Sequence, residues 1–162
     1  MLIEFEELLD RFILYIFDKK SSKSDFKVDP FNRDEISAIL KAAHHPQIKN
    51  LFQFAFFTGL RTSELLALEW RDIDLNRGCV RVSRAMVRKQ VKGTKTEAGL
   101  REVMLLEPAL EALQAQMDFT LKEEQYIFHN PRTNQAWETD HQIRRTAWSY
   151  AIERAGVRYR NH

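Results

Sequence analysis

One stretch constrains how this chain can pack. Residues 46–57 open on Pro46 and then carry Ile48, Leu51, Phe52, Phe54, Ala55, Phe56 and Phe57. Wound into a helix, these side chains cover most of its circumference rather than one stripe. Such a helix is stable only at the centre of a domain, with other elements on several sides of it. Pro46 suits its first turn, where the missing N–H would have had no partner anyway. Gly59 interrupts it. A chain of 162 residues suits one domain with at most a partial second, and 44% apolar residues, including 11 Phe and 3 Trp, are enough to surround such a helix.

The surrounding elements follow from periodicity and capping signals. Asn32 with Glu35 three residues on has the pattern of a capping box and predicts a helix over 33–44. Residues 61–70 read as a further helical segment. The character then changes, because Cys79, Val80, Arg81, Val82 and Ser83 alternate as a strand does, and Val103 to Leu106 form a returning strand. The polar stretch 88–99 between them, with Gly93 and Gly99 as turn formers, reads as the extended, mobile tip of a β-hairpin. A helix over 108–119, a short strand over 126–128 and a helix from the Thr139–Gln142 capping box to about 154, ahead of Gly156, complete this part. At the other end, Phe5, Leu8, Leu9, Phe12, Ile13 and Ile16 give a helix over 4–17, and the Ser- and Lys-rich stretch 19–29 reads as a linker ended by Pro30. The class is α+β and mainly α, with a small antiparallel sheet. Repeats and low-complexity segments are absent from the sequence.

Composition excludes several roles. No apolar run is long enough to cross a membrane, and Met1-Leu2-Ile3-Glu4 places acid where a signal peptide needs base. A cytoplasmic protein is expected. The single Cys79 rules out an internal disulfide and reads as a buried thiol beside Val80. Adjacent His44 and His45 cannot share a helix face, so this pair suits no metal-ligand geometry. Net charge is only +2, yet it is unevenly spread. Residues 77–101 hold eight basic residues and one acid, and residues 141–162 hold five and one, whereas 102–140 hold two and eight. Two basic blocks on a near-neutral chain point to a localised face for a polyanion. Ordinary solvated charged faces are the competing reading.

Motifs decide between these. Thr58-Gly59-Leu60-Arg61-Thr62-Ser63-Glu64-Leu65 resembles the first active-site box of the tyrosine recombinases of the phage-integrase type. Leu68-Glu69-Trp70-Arg71-Asp72-Ile73-Asp74 is similar to that family's continuation into its hairpin. Thr94-Lys95-Thr96-Glu97-Ala98-Gly99-Leu100-Arg101-Glu102-Val103 resembles the hairpin signature itself, and Asp29-Pro30-Phe31 the junction ahead of the catalytic domain. The resemblance covers about 28–160. It implies the helical catalytic domain of the DNA breaking–rejoining fold over 28–162, in its N-terminal part, with 1–27 a remnant helix and linker from the core-binding side.

The resemblance also implies a chemistry. Family members attack a DNA phosphodiester with a tyrosine, conserving the bond energy in a phosphotyrosyl link, so no cofactor is expected. Charge gathers on the phosphorus centre, and a guanidinium can give two parallel hydrogen bonds to its nonbridging oxygens. Arg61 is the candidate for that clamp and Glu64, one turn on, for the group that braces the site from behind. Lys95 is the candidate general acid for the leaving 5′-oxygen, with Lys92 competing. Arg81, Arg84, Arg88, Lys89, Lys92 and Arg101 are expected to contact phosphates, which sets position and affinity without reading sequence. Arg144 and Arg145 are expected to join them, a solvated face being equally open.

The expected partner is double-stranded DNA. The family assembles as a tetramer on it, and this chain alone is expected to be a monomer. The family's His-x-x-Arg box and nucleophilic tyrosine are expected beyond His162. His141-Gln142-Ile143-Arg144 fits that spacing, but at a helix start. Tyr150 and Tyr159 precede the segment where the box belongs. A non-catalytic DNA-binding module and a protein-interaction domain docking through residues 4–17 are the alternative functions.

Overall fold

The computed structural model describes residues 29–93, 100–122 and 125–159. The helix expected over 4–17, nearly all of the linker, and Lys95 with its neighbours lie outside the described residues. In chain order the elements are α1 (Arg33–Ala42), α2 (Pro46–Thr58), α3 (Thr62–Leu66), a 3-10 turn (Trp70–Asp72), β1 (Ile73–Asp74), β2 (Cys79–Val82), β3 (Arg84–Val87), β4 (Gln90–Gly93), β5 (Arg101–Met104), α4 (Glu107–Thr120), β6 (His129–Asn130), β7 (Gln135–Ala136), α5 (Asp140–Ile143), a π-helical turn (Arg144–Trp148) and α6 (Ser149–Ala155). The class is α+β and mainly helical. No helix among the described residues is long and apolar enough to cross a membrane.

The all-round apolar helix is central. Phe54 is fully buried in α2, with Leu51, Phe52 and Phe57 beside it. Pro46 opens this helix, and the His45 ring accepts the Gln47 N–H at 3.2 Å. Helix α4 lies along α2. Buried polar groups need partners, and those between the two helices find each other. Asn50 Nδ2 donates to Gln116 Oε1 at 3.1 Å, and Gln116 Nε2 donates to the Ile127 carbonyl at 3.0 Å. Thr120 Oγ1 donates to the same carbonyl at 2.8 Å. On the other flank α1 packs against α6. The π-helical turn brings Trp148 edge-on to Phe52 at 5.2 Å and Phe31 at 5.7 Å. Both capping boxes form as read: Glu35 N–H donates to Asn32 Oδ1 at 2.9 Å with Asn32 N–H returning to Glu35 at 2.8 Å, and Gln142 N–H donates to Thr139 Oγ1 at 3.3 Å.

The sheet runs β1-β2-β5, all antiparallel, with Val80 opposite Val103 and Val82 opposite Arg101. Cys79 is a buried free thiol. The described part of the polar stretch between β2 and β5, up to Gly93, is paired where the sequence predicts an open tip: it forms a hairpin of its own, β3–β4, whose two-residue turn is Arg88-Lys89 between Val87 and Gln90. Both turn residues are left-handed, with φ of 50° and 65°, the combination that matches the twist of a two-stranded hairpin. Gly93, expected to make a turn, sits in β4 opposite Arg84. Residues 94–99, with Gly99, lie outside the described residues.

The segment over 61–70 is also shorter than read, since α3 stops at Leu66. The reason is competition for the backbone: Ile127 N–H donates to Leu68 O at 3.0 Å and Trp70 N–H to Gln125 O at 3.2 Å. The strand expected over 126–128 reduces to one bridge between Tyr126 and Glu69.

Because Phe54 has no solvent-facing side into which the core can relax, Phe54→Ala is expected to cost about 3–5 kcal/mol. Urea denaturation read by tryptophan fluorescence measures it; a loss below about 1 kcal/mol would show that α2 is not the packing centre.

Candidate functional site

The site is built where α2 ends. Gly59 adopts φ 62°, left-handed, as the C-terminal cap, and its N–H donates to Ala55 O at 3.0 Å. Glycine takes this conformation without the Cβ clash that other residues meet. The chain is thereby redirected, Leu60 is buried, and Arg61 becomes the extended residue that caps α3. Helix α3 is short, and its Glu64 reaches back: the Arg61 N–H donates to Glu64 Oε2 at 2.9 Å. Glu64 is 5% exposed whereas the Arg61 side chain is 81% exposed, with Arg61 Nη1 3.5 Å from Glu64 Oε1.

The second grip on Glu64 comes from the sheet. Arg101, the first residue of β5, donates from Nη1 to Oε1 at 2.9 Å and from Nη2 to Oε2 at 2.8 Å. One buried carboxylate therefore holds two arginines. Arg101 commits its whole fork inward, and Arg61 directs its guanidinium out to solvent. Burial pushes the Glu64 carboxyl upward, but the hydrogen bonds from Arg101 and the Arg61 N–H, with both positive charges, outweigh it and hold the group below the usual carboxylate range. The same pairing raises Arg101 above the ordinary arginine value.

The other basic residues divide into two groups. Arg84 on β3 is 21% exposed and ion-paired with Glu69 and Asp72, so its charge, like that of Arg101, is matched inside the domain. Arg81 on β2, Arg88 in the hairpin turn, Lys92 on β4 and Arg144 and Arg145 in the π-helical turn are exposed. Lys89 Nζ lies 2.6 Å from Glu138 Oε2, tying the turn to the segment ahead of α5. Strand β3 and helix α5 both pack against α3, so the hairpin and the last helical run flank Arg61's helix. Lys95 lies outside the described residues. Among the described residues no cluster of His, Cys, Asp and Glu is arranged to hold a metal. Tyr150 is on α6, its hydroxyl accepting from Arg154 at 3.0 Å and its ring edge-on to His44 at 5.1 Å.

Arg101 as the partner of Glu64 was not legible from spacing, since 37 positions separate them. The available signal was the acid itself: a Glu on a short helix among buried leucines requires a cation.

Comparison with known proteins bears on the family and the fold. The profile of the Phage integrase family matches residues 30–162. The prophage integrase IntR of Escherichia coli (strain K12) is 35% identical over 165 residues, an alignment taking in 88% of this chain and 40% of that protein. The chain thus spans about two fifths of that relative's length. Among solved structures, XerA recombinase superposes with a TM-score of 0.63 at 23% identity, covering 88% of this chain and 48% of that one. Lambda integrase bound to DNA does so with 0.59 at 18%, covering 96% and 56%. At those identities the likeness concerns the fold.

The Glu64 pair has a pH signature. A carboxyl held below its ordinary value in the fold contributes stability that is full above that ordinary value and lost as pH falls through the folded one. The stability gap between the wild type and Glu64→Gln is therefore expected to be largest near neutral pH and to shrink as pH falls through and below the usual carboxylate range. Urea titrations across that range measure it, and a gap independent of pH would rule out a charged Glu64 in the fold.

Proposed function

The chain belongs to the phage integrase family, and on that premise we propose that it is the front of the catalytic domain of a site-specific recombinase. In the full-length protein a tyrosine attacks a DNA phosphodiester, leaving a phosphotyrosyl link that a second strand end resolves. The observation that carries this reading is the posture of Arg61. A buried acid holds its backbone N–H and lies 3.5 Å from one end of its guanidinium, while the side chain as a whole is open to solvent. A cation fixed in this way costs little reorganisation when a phosphate arrives, which is what electrostatic stabilisation of a developing oxyanion requires. Two parallel N–H donors match two nonbridging oxygens of the pentacoordinate centre.

Lys95 is the general acid in this reading, with Lys92, exposed on β4, as its competitor. The exposed Arg81, Arg88 and Lys92, with Lys89 once it leaves Glu138, supply phosphate contacts along the duplex, and Arg144 and Arg145 extend them. Such contacts release counterions, so binding weakens steeply with salt.

A nicked, end-labelled suicide duplex tests the reading. The full-length protein is expected to give a covalent protein–DNA band on a denaturing gel, and Arg61→Ala to lower its rate of formation about 100- to 1,000-fold. The 162-residue chain by itself is expected to bind duplex DNA at low salt and to give no covalent band. Neutralising Arg88 or Lys92 is expected to lower the salt slope of that binding by about one each. An undiminished covalent band from Arg61→Ala would overturn the role given to Arg61.

A further inference from the structure

Arg101 is the least expected member of the site. Its place in the basic block suggests a phosphate contact, yet both its terminal nitrogens are spent on Glu64. We propose that Arg101 is a positioning residue for strand cleavage, acting through Glu64 to hold Arg61 in the orientation that receives the scissile phosphate. The proposal rests on the recombinase reading above.

Three observations carry it. First, Glu64 is saturated in a specific order. Oε2 takes Arg101 Nη2 and the Arg61 N–H, while Oε1 takes Arg101 Nη1 and faces Arg61 Nη1. The plane of the carboxylate is set by Arg101's fork, and that plane faces both the Arg61 N–H and one end of its guanidinium. Second, the Arg61 side chain has little else to hold it: it is 81% exposed and its ion-pair partner among the described residues is Glu64, the remaining anchors being backbone bonds to Glu64 and Leu65. Without a fixed Glu64 the long Arg61 side chain regains its rotamers, and a loosely held clamp loses the preorganisation that makes it useful.

Third, Arg101 is poorly placed for phosphate. It is only 34% exposed, and turning it outward would strand a buried carboxylate, a strongly unfavourable state. Its backbone is set in β5 opposite Val82, so the fork approaches from a strand rather than a loop. A lysine at this position keeps the charge but cannot reproduce the two parallel donors.

The two roles for Arg101 give opposite kinetics. A positioning residue acts on the rate of the chemical step, and loss of such an outer partner lowers activity about 10- to 100-fold. A phosphate contact acts on affinity. The experiment uses the full-length protein, single-turnover cleavage of the suicide duplex at saturating DNA, and duplex binding by fluorescence anisotropy at several salt concentrations. Arg101→Lys and Arg101→Gln are expected to cut at about one tenth to one hundredth of the wild-type rate, with affinity and salt slope unchanged.

Weakened affinity, a salt slope lower by about one and an intact saturating rate would make Arg101 a phosphate contact and overturn the proposal. The double variant Glu64→Gln/Arg101→Gln guards against misfolding, because it leaves no buried charge unpaired. It is expected to melt cooperatively and still cut slowly. A folded double variant cutting at the wild-type rate would also overturn the proposal. Failure of the wild-type protein to form any covalent band would instead defeat the recombinase reading, taking this proposal with it.

Discussion

A carboxylate cannot be buried alone. The effective cost of taking an unpaired ion from water into a protein interior is several kcal/mol, and Glu64 is buried at the base of a helix of only five residues. The site arrangement depends on how that cost is met. The partner comes from β5, which fixes where the sheet sits against α3. Pairing of β5 with β2 places Val80 and Val82 in the core, and β3 follows directly against the same helix. The register of the sheet and the posture of Arg61 therefore meet in one interaction. Displacing β5 by one residue would turn Arg101 to the opposite face and leave Glu64 without its fork.

The acids sort the arginines. In sequence, the block over 77–101 carries a net +7 and looks like an uninterrupted basic surface. In the fold, Arg84 is drawn down by Glu69 and Asp72, Arg101 by Glu64, and Arg77 pairs with Glu102 through two hydrogen bonds of 3.0 and 2.8 Å. Among the described residues of that block, Arg81, Arg88 and Lys92 face outward without a paired acid. The outward potential is smaller than the count implies and better localised. It gathers on the β3–β4 hairpin and the outer face of β2, beside the helix that Arg61 caps.

What the sequence disclosed was mostly local. Each capping box needs only two side chains three residues apart, and both formed. Helix α2 was legible because no other arrangement shelters four phenylalanines within six residues. The Arg61–Glu64 relation was legible because it spans one turn. What failed was non-local or ran against propensity. Gly93 reads as a turn former, yet it sits in β4 and the described hairpin turns at Arg88-Lys89, which carry no such signal. Helix α3 ends early because residues 125–127 take the hydrogen bonds of Leu68 and Trp70. The Arg101–Glu64 pair crosses from sheet to helix, so no window along the chain could contain it.

The Arg88-Lys89 turn deserves a physical reason, because stability does not supply one. Left-handed backbone costs a non-glycine residue roughly 1–2 kcal/mol, and two such residues are adjacent here. The Lys89–Glu138 contact is exposed on both sides, and such pairs are worth about 0–1 kcal/mol, too little to offset the turn. Asn-Gly would make the same hairpin with less strain. Strain retained against an easier alternative is characteristic of a segment shaped by what it presents. This turn presents two cations at the tip of a hairpin that rests on Arg61's helix. A rigid two-residue turn holds them closer to fixed positions than a longer loop would, and fixed cations lose less entropy on meeting a phosphate backbone. On the recombinase reading, Glu64 orients the charge of Arg61 before the anion arrives, and the turn fixes the backbone from which Arg88 and Lys89 reach towards it.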